Sequence, residues 1–187
     1  MDRRAFVTTT LLLFGLSACS NGLSGLTALP PNGDETYRLS AGDQIRVTVF
    51  GFDNMTNSYT VSDTGMISVP MLKNLEVRGK STVEVETQLA AALRERNLAP
   101  NANVSVQIVQ YRPFYILGEV QKPGQYPYVP GMTVLNAVSI AGGFTFRAHR
   151  QTVAISRSSA DKQRKWQATP ESRLLPGDIV EVTESWF

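Results

Sequence analysis

The sequence predicts an α+β fold made of two small α/β units. Apolar and polar residues alternate in several short stretches, as at Ile45, Val47 and Val49, which is typical of strands with one buried face. Two other segments repeat apolar residues every three or four positions, as in a helix that buries one side. Glycine, proline and aspartate separate these segments, and 187 residues are enough for one or two domains.

The first unit is predicted to run in the order β-β-β-β-α-β. Ser81 and Glu84 have the spacing of a capping box, which predicts the start of the helix, and Asn97 and Pro100 close it. The helical residues expected to face the core are Val85, Leu89 and Leu93. Strands are expected within 45–50, 59–61, 66–70, 75–77 and 103–109, with a hairpin turn at 62–65 joining the second and third.

The second unit is predicted to be a sheet with one short helix, which is typical of a β-grasp-like fold. Thr133 is the expected N-cap of a helix over 134–141, and Gly142 and Gly143 are expected to end it. The residues that this helix is expected to bury are Leu135, Val138 and Ala141. Strands are expected at 114–120, 126–129, around 153–155 and at 175–182, and residues 158–164 are expected to form a polar loop.

The N-terminus has the pattern of an export signal. Arg3 and Arg4 precede a short apolar run, and the run ends in Leu16-Ser17-Ala18-Cys19. This ending resembles a bacterial lipoprotein box, which implies that residues 1–18 are removed and that Cys19 carries lipid, including a palmitate-type acyl chain. A plain signal peptide with an incidental cysteine is the alternative, and the route of export, general or twin-arginine, stays open. Residues 19–36 are expected to form a flexible linker.

Composition excludes several classes of function. The net charge of +2 gives no basic stripe and argues against nucleic acid as a partner. One cysteine and one histidine exclude a Cys/His zinc cluster and an internal disulfide, so no metal site and no cofactor are predicted. His149 is expected to be an exposed loop residue, and Glu84 and Glu86 are expected on different sides of their helix. No catalytic residue is therefore assigned, although a carboxylate pair assembled in space stays open.

A short motif occurs in both units. Leu39-x-x-Gly42-Asp43 in the first unit is similar to Leu175-x-Gly177-Asp178 in the second, and each precedes an apolar strand. Glycine supplies a positive φ and aspartate bonds the neighbouring backbone, so both motifs predict the same turn leading into a strand. Neither Gly-Asp pair is expected to be catalytic.

Longer motifs carry a resemblance to a known family. The first unit resembles the polysaccharide biosynthesis/export domain of bacterial outer-membrane polysaccharide export lipoproteins, through Tyr37-x-Leu39-x-x-Gly42-Asp43-x-Ile45 and Asp63-x-Gly65-x-Ile67-x-Val69-Pro70. The second unit resembles that family's soluble-ligand-binding β-grasp domain, through Gly118-Glu119-Val120-x-x-Pro123-Gly124-x-Tyr126 and Ala141-Gly142-Gly143-Phe144. The expected domains are an export domain at 37–111 and a β-grasp domain at 112–187.

The resemblance implies a non-catalytic component of capsular polysaccharide or exopolysaccharide export. It implies a ring-like homo-oligomer that conducts the polysaccharide, held to the outer membrane by acylated Cys19 and facing the periplasm. The implied partners are the polysaccharide, the lipid of the outer membrane and an inner-membrane polysaccharide copolymerase.

The predicted last strand is followed by residues 183–187 only, whereas longer members continue into an amphipathic helix that crosses the outer membrane. This short form predicts that a separate outer-membrane β-barrel supplies the crossing. Two alternatives stay open: a lipid-tethered polysaccharide-binding sensor or scaffold, and an envelope glycan hydrolase.

Overall fold

The computed structural model describes residues 23, 25–31, 36–159 and 162–185, and these form the predicted α+β fold. Buried apolar side chains gather into two clusters, one formed by residues between 39 and 106 and the other by residues between 114 and 182. Each unit therefore buries its own hydrophobic core. Within the described part of the chain, no helix is long and apolar enough to cross a bilayer. The predicted signal peptide and Cys19 lie outside the described residues.

The first unit combines a three-stranded antiparallel sheet, a separate two-stranded hairpin and one helix. Its elements are β1 (Gln44–Val49), a 3-10 turn (Asp53–Met55), β2 (Asn57–Thr60), β3 (Met66–Val69), β4 (Lys73–Glu76), α1 (Thr82–Glu95) and β5 (Val104–Gln110). Strand β1 lies between β2 and β5, and β3 pairs with β4. The predicted order of five strands and one helix is confirmed.

The turn at residues 62–65 forms, but it does not join a hairpin. The Ser62 amide donates to the Met66 carbonyl at 2.9 Å, and the Gly65 amide donates to the Ser62 carbonyl at 2.9 Å. The flanking strands nevertheless belong to different sheets, because β2 pairs with β1 and β3 pairs with β4. The hairpin prediction is wrong since local turn chemistry reverses the chain without selecting the strand that completes the ladder.

Helix α1 begins and ends as its sequence predicts. The Glu84 amide donates to the Ser81 hydroxyl at 3.2 Å, and the Ser81 amide donates to the Glu84 carboxylate at 2.6 Å. The hydrogen bond from the Ser81 amide, reinforced by the Ser81 hydroxyl, lowers the pKa of the Glu84 carboxyl. Asn97 follows the helix in the left-handed region, with φ 55°. The predicted core residues of α1 are fully buried, namely Val85, Leu89 and Leu93.

The second unit is a five-stranded mixed sheet with one short helix. Its elements are β6 (Phe114–Gly118), β7 (Gly124–Tyr126), α2 (Val134–Ile140), β8 (Val153–Ser159), β9 (Lys162–Ala168) and β10 (Ile179–Val182). The strand order is β7-β6-β10-β8-β9, with β6 parallel to β10 and the other pairs antiparallel. Strand β7 begins two residues before the predicted 126–129, because the residues that pair with β6 are 124–126, directly after the turn.

Helix α2 has its predicted cap, and two of its three predicted core residues, Val138 and Ala141, are buried. The Asn136 amide donates to the Thr133 hydroxyl at 3.3 Å, which confirms Thr133 as the N-cap. Leu135, predicted to be buried, is 49% exposed. The reason is that a better helical stripe, spaced i, i+3, i+4 and i+7, starts one residue earlier. The members of that stripe are buried, namely Val134, Ala137, Val138 and Ala141.

Residues predicted to form a polar loop belong mostly to a hairpin. Strands β8 and β9 pair from Val153 with Ala168 to Ser159 with Lys162, across the predicted loop at 158–164. The loop prediction is therefore wrong for most of these residues. Polar side chains suit a strand when they stand on a solvated face, and the apolar alternation that would have revealed β9 is weak.

Part of the expected linker at 19–36 lies along the free edge of β9. Ala28 forms a parallel bridge with Gln167. The Leu29 amide donates to the Gln167 carbonyl at 2.7 Å, and the Gln167 amide donates to the Thr27 carbonyl at 2.9 Å. Leu29 also packs against the second core. These residues are therefore ordered against the second unit, and they cover an edge that would otherwise present unpaired backbone groups.

Candidate functional site

A buried carboxylate fixes the junction between the two units. Asp43, just before β1, is fully buried, and its Oδ1 accepts the amide of Arg112 from the connector between β5 and β6 at 2.9 Å. Its Oδ2 accepts the Tyr37 hydroxyl at 2.7 Å, the Ser40 amide at 2.8 Å and Arg112 Nη1 at 3.3 Å. One carboxylate thus joins the turn before β1 to the inter-unit connector.

The connector also rests on the second unit. Gly177 has φ +83°, and a Cβ at this position would lie 2.5 Å from Arg112 Nε, so the absence of a side chain lets the guanidinium lie against the turn. The Gly177 amide donates to the Pro113 carbonyl at 3.1 Å. Arg112 therefore contacts both units.

The second unit repeats the aspartate turn. Asp178 is 1% exposed, and its Oδ2 accepts the Leu175 amide at 2.8 Å, as Asp43 accepts the amide three residues before it. Arg157 donates to the same carboxylate through Nε at 2.9 Å and Nη2 at 2.8 Å. Both Gly-Asp motifs thus form the predicted turn into a strand, and each aspartate is also paired with an arginine from elsewhere in the chain.

Three tyrosines lie in contact along the junction. The ring of Tyr111 meets that of Tyr37 edge-on with centroids 5.1 Å apart, and that of Tyr128 edge-on at 5.5 Å. Burial raises the pKa of Tyr37, and its hydrogen bond to Asp43 raises it further. Burial also raises the pKa of Tyr128, whose hydroxyl donates to the Leu174 carbonyl at 3.2 Å. Tyr37 and Tyr128 are therefore neutral at ordinary pH.

A cleft of about 1410 Å³ opens over this junction, and we call it the inter-unit cleft. The first unit contributes residues 36–40 and 78–79, the connector contributes residues 111–112, and the second unit contributes residues from 128–130, β8, β9 and the 175–178 turn. Residues 29–31 lie at one end. The described residues that carry a charge and line the cleft are Arg38, Arg78, Arg112, Arg157, Arg164 and Asp178.

Of the residues that the sequence analysis weighed for catalysis, His149, Glu84 and Glu86 do not line this cleft, whereas Gly177 and Asp178 do. His149 is half-buried, not exposed as predicted, because its ring packs back on Thr152, with Nδ1 3.2 Å from the Thr152 hydroxyl. Glu84 caps α1, whereas Glu86 accepts the Val106 amide at 2.8 Å, so the two glutamates point to different sides as predicted. No group of potential metal ligands occurs among the described residues.

Sequence reasoning did not identify the cleft as a site. Its arginines come from segments far apart in the chain, so no local motif contains them. The repeated Gly-Asp turn was a usable signal, because two buried aspartates require two cationic partners. The sequence does not show which arginines those are.

Comparison with known protein families supports the division into two units. Residues 31–109 match the family described as polysaccharide biosynthesis/export protein, and residues 113–165 match the SLBB domain. The chain belongs to the polysaccharide export protein family. The first match spans the first unit, and the second spans β6 to the β8–β9 hairpin.

The chain is similar in sequence to two named proteins. The chain is 34% identical over 174 residues to the exopolysaccharide production protein ExoF of Rhizobium meliloti, which covers 84% of the chain and 41% of the relative. It is 27% identical over 161 residues to the EPS I polysaccharide export outer membrane protein EpsA of Ralstonia nicotianae, covering 80% of the chain and 42% of the relative. The chain thus spans about two fifths of the length of these relatives.

Proposed function

We propose that this protein is a non-catalytic component of exopolysaccharide or capsule export at the outer membrane. The observation that carries the proposal is the succession of the two matched domains, an export domain and then an SLBB domain, in one chain. The names of both relatives refer to exopolysaccharide production or polysaccharide export. We take 37–111 and 112–187 as the corresponding domain boundaries.

The cleft supports a binding role over a hydrolytic one. Hydrolysis of a glycosidic bond generally uses two carboxyl groups about 5–10 Å apart. Among the residues that the structure describes, one carboxylate lines the inter-unit cleft, that of Asp178, and both of its oxygens already accept hydrogen bonds from Arg157. This arrangement favours holding a ligand without cleaving it.

A test in cells distinguishes export from synthesis. We expect deletion of the gene to abolish secreted polysaccharide while polymer or its lipid-linked precursor accumulates inside the cell envelope. Complementation with the full gene should restore secretion. Unchanged secretion in the deletion strain would refute a role in export.

Attachment through Cys19 is part of the proposal. Acylation at several positions holds a protein stably on a membrane, at about 0.8 kcal/mol per buried methylene. Cys19→Ser should release the protein or mislocalise it away from the outer-membrane fraction, and Ser20→Ala should leave it in place. Mass spectrometry of the mature N-terminus should find an acylated Cys19, and an unmodified terminus would contradict the anchor.

We further propose that copies of this protein form a closed ring that conducts the polysaccharide, working with an inner-membrane copolymerase and a separate outer-membrane barrel. A head-to-tail interface that closes on itself gives such a ring. Native mass measurement of the detergent-extracted complex should give a single multiple of the subunit mass. A strict monomer, with the copolymerase present, would instead favour the sensor or scaffold.

A further inference from the structure

We infer that copies of this protein associate head to tail through two apolar surfaces that lie on opposite sides of the second unit. One surface is the solvent face of helix α2, and the other is the face of the five-stranded sheet that does not pack against α2. This contact rests on the ring assembly proposed above and specifies which surfaces build the ring.

Helix α2 exposes apolar side chains and no charge. Its solvent face, which we call the helix patch, is formed by Leu135, Asn136, Ser139 and Ile140. Leu135 and Ile140 are each 49% exposed. A surface helix of a globular protein ordinarily carries charged and polar residues on this side. The helix patch therefore has the composition of a face that is covered by another protein surface.

The absence of charge extends beyond the helix. No Asp, Glu, Lys, Arg or His occurs between Lys122 and Arg147. A stretch of this length in an average soluble domain would contain about six charged residues. Two further exposed apolar residues lie in it, Val129 at 57% and Phe146 at 85%. Because charged residues are depleted at the centres of protein interfaces, this composition indicates a contact surface.

The sheet exposes a second apolar surface on its other face. Phe114 and Ile116 of β6 are buried in the second core. Tyr115 and Leu117 lie on the opposite face, because successive side chains of a strand alternate, and they are 43% and 42% exposed. Ile179 of β10 is half-buried beside Tyr115, with which it is paired. We call Tyr115, Leu117 and Ile179 the sheet patch.

Charge on this outer face of the sheet is balanced. Among the described strand residues that lie on it, the charged ones are Lys165 of β9 and Glu181 of β10, and their Nζ and Oε2 atoms are 2.5 Å apart. The ion pair is neutral as a whole. The sheet patch and the helix patch therefore do not repel each other when two copies meet.

The layers of the second unit place the two patches on opposite sides. Helix α2 and the inner face of the sheet share one core, in which Val138 of α2 and Ile116 of β6 are both buried. The helix patch lies beyond α2, and the sheet patch lies beyond the sheet. Two unlike surfaces on opposite sides of a subunit favour a head-to-tail contact, which repeats from copy to copy until the assembly closes on itself.

A second copy of this chain covers both patches at once. When the sheet patch of one copy packs on the helix patch of the next, each subunit uses each patch once, and a closed ring leaves neither in water. A different protein bound to one patch would leave the other exposed, and a two-fold dimer would pair one patch with itself and leave the other uncovered. Uncharged polar side chains beside the apolar ones, such as Asn136 and Gln125, suit the hydrogen-bonding rim of such a contact.

A charge placed in either patch tests the contact, using the full chain extracted in detergent. Native mass measurement of the wild type should give a single multiple of the subunit mass. Leu117→Glu and Leu135→Glu should each raise the protein concentration at which this complex is half dissociated by about thirtyfold or more. The matched control is Val83→Glu, because Val83 is 64% exposed on α1 of the first unit, and it should leave the complex unchanged. Thermal melting followed by circular dichroism should be the same for all three variants.

Cross-linking distinguishes a head-to-tail contact from a two-fold one. Leu117→Cys and Leu135→Cys, carried by separate copies and coexpressed, should be joined into dimers by a short bis-maleimide reagent. Each single variant alone should not be joined, and the double variant should give a ladder of subunit multiples. Wild type treated in the same way accounts for any reaction at Cys19.

Three results would overturn the head-to-tail contact. The first is a wild-type complex whose dissociation neither glutamate variant changes, and the second is equal dissociation of the complex by Val83→Glu. The third is joining of either single-cysteine variant to itself, which would assign that patch to a two-fold dimer. A monomeric wild type would overturn the ring together with this contact. The secretion assay is independent, because unchanged secretion in the deletion strain refutes the export role even when the contact forms.

Discussion

The buried carboxylate at the junction allows a sharp test of how the two units are held together. Asp43→Asn keeps the size of the side chain and removes its charge. Three donors meet Oδ2 and one meets Oδ1, so the amide oxygen is best placed at the Oδ2 position. The amide nitrogen then faces the Arg112 amide, which leaves two donors opposed to each other.

The expected loss follows from these contacts. A buried donor left without an acceptor costs about 1–3 kcal/mol, and hydrogen bonds to a charged group contribute about 1.5–3 kcal/mol against about 1 kcal/mol for neutral ones. Removing one partner of a buried ion pair typically costs about 3–5 kcal/mol. Arg112 is 24% exposed and regains some hydration, so the low end applies. We expect Asp43→Asn to lower the free energy of unfolding by about 3 kcal/mol.

Urea titration followed by circular dichroism and fluorescence measures this loss. The control is Asp53→Asn, an exposed aspartate of the same unit, which should change stability by no more than about 0.5 kcal/mol. Because Asp43 joins the units, its variant should also separate their unfolding into two transitions. A loss below about 1 kcal/mol, with the slope of the wild-type titration, would refute the assigned role of the junction.

Three further predictions concern stability. Gly118→Ala places a Cβ 2.1 Å from the Val182 carbonyl oxygen at φ +86°, whereas the Cβ of Gly143→Ala meets open space at φ +93°. Gly143→Ala should therefore cost about 1–2 kcal/mol of backbone strain, and Gly118→Ala should cost clearly more because of the clash. Equal melting temperatures of the two variants would contradict the clash. Ser81→Ala removes the cap of α1 and should cost about 1 kcal/mol in urea titration, with no effect expected only if the cap is not formed. The pKa of Tyr37 is higher in the folded than in the unfolded state, so the stability that Tyr37 contributes is fully present below the unfolded pKa of about 10 and is lost as the pH rises above that value. The stability advantage of wild type over Tyr37→Phe should therefore shrink from pH 9 to pH 11. A constant difference between the two proteins would contradict the raised pKa.

Local patterns predicted most of the fold. The Ser81 capping box and the alternation of β1 were sufficient because their signals depend on near neighbours in the chain. Strand β9 was missed because its stability comes from a partner strand, and its polar residues resemble a loop. The cleft was missed for a related reason: the arginines that line it are brought together only when the two units pack, and each one alone is an ordinary surface residue.

The pairing of residues 27–29 with β9 also limits the distance between the protein and a membrane to which Cys19 is attached. Leu23 is buried, and only Ser20, Asn21 and Gly22 separate it from Cys19. An extended chain advances about 3.5 Å per residue, so a lipid on Cys19 would lie within roughly 14 Å of Leu23. A flexible linker of sixteen residues would instead have a root-mean-square end-to-end distance of roughly 20–25 Å. Under the proposed acylation, the edge of the second unit that pairs with residues 27–29 is therefore kept close to the bilayer surface.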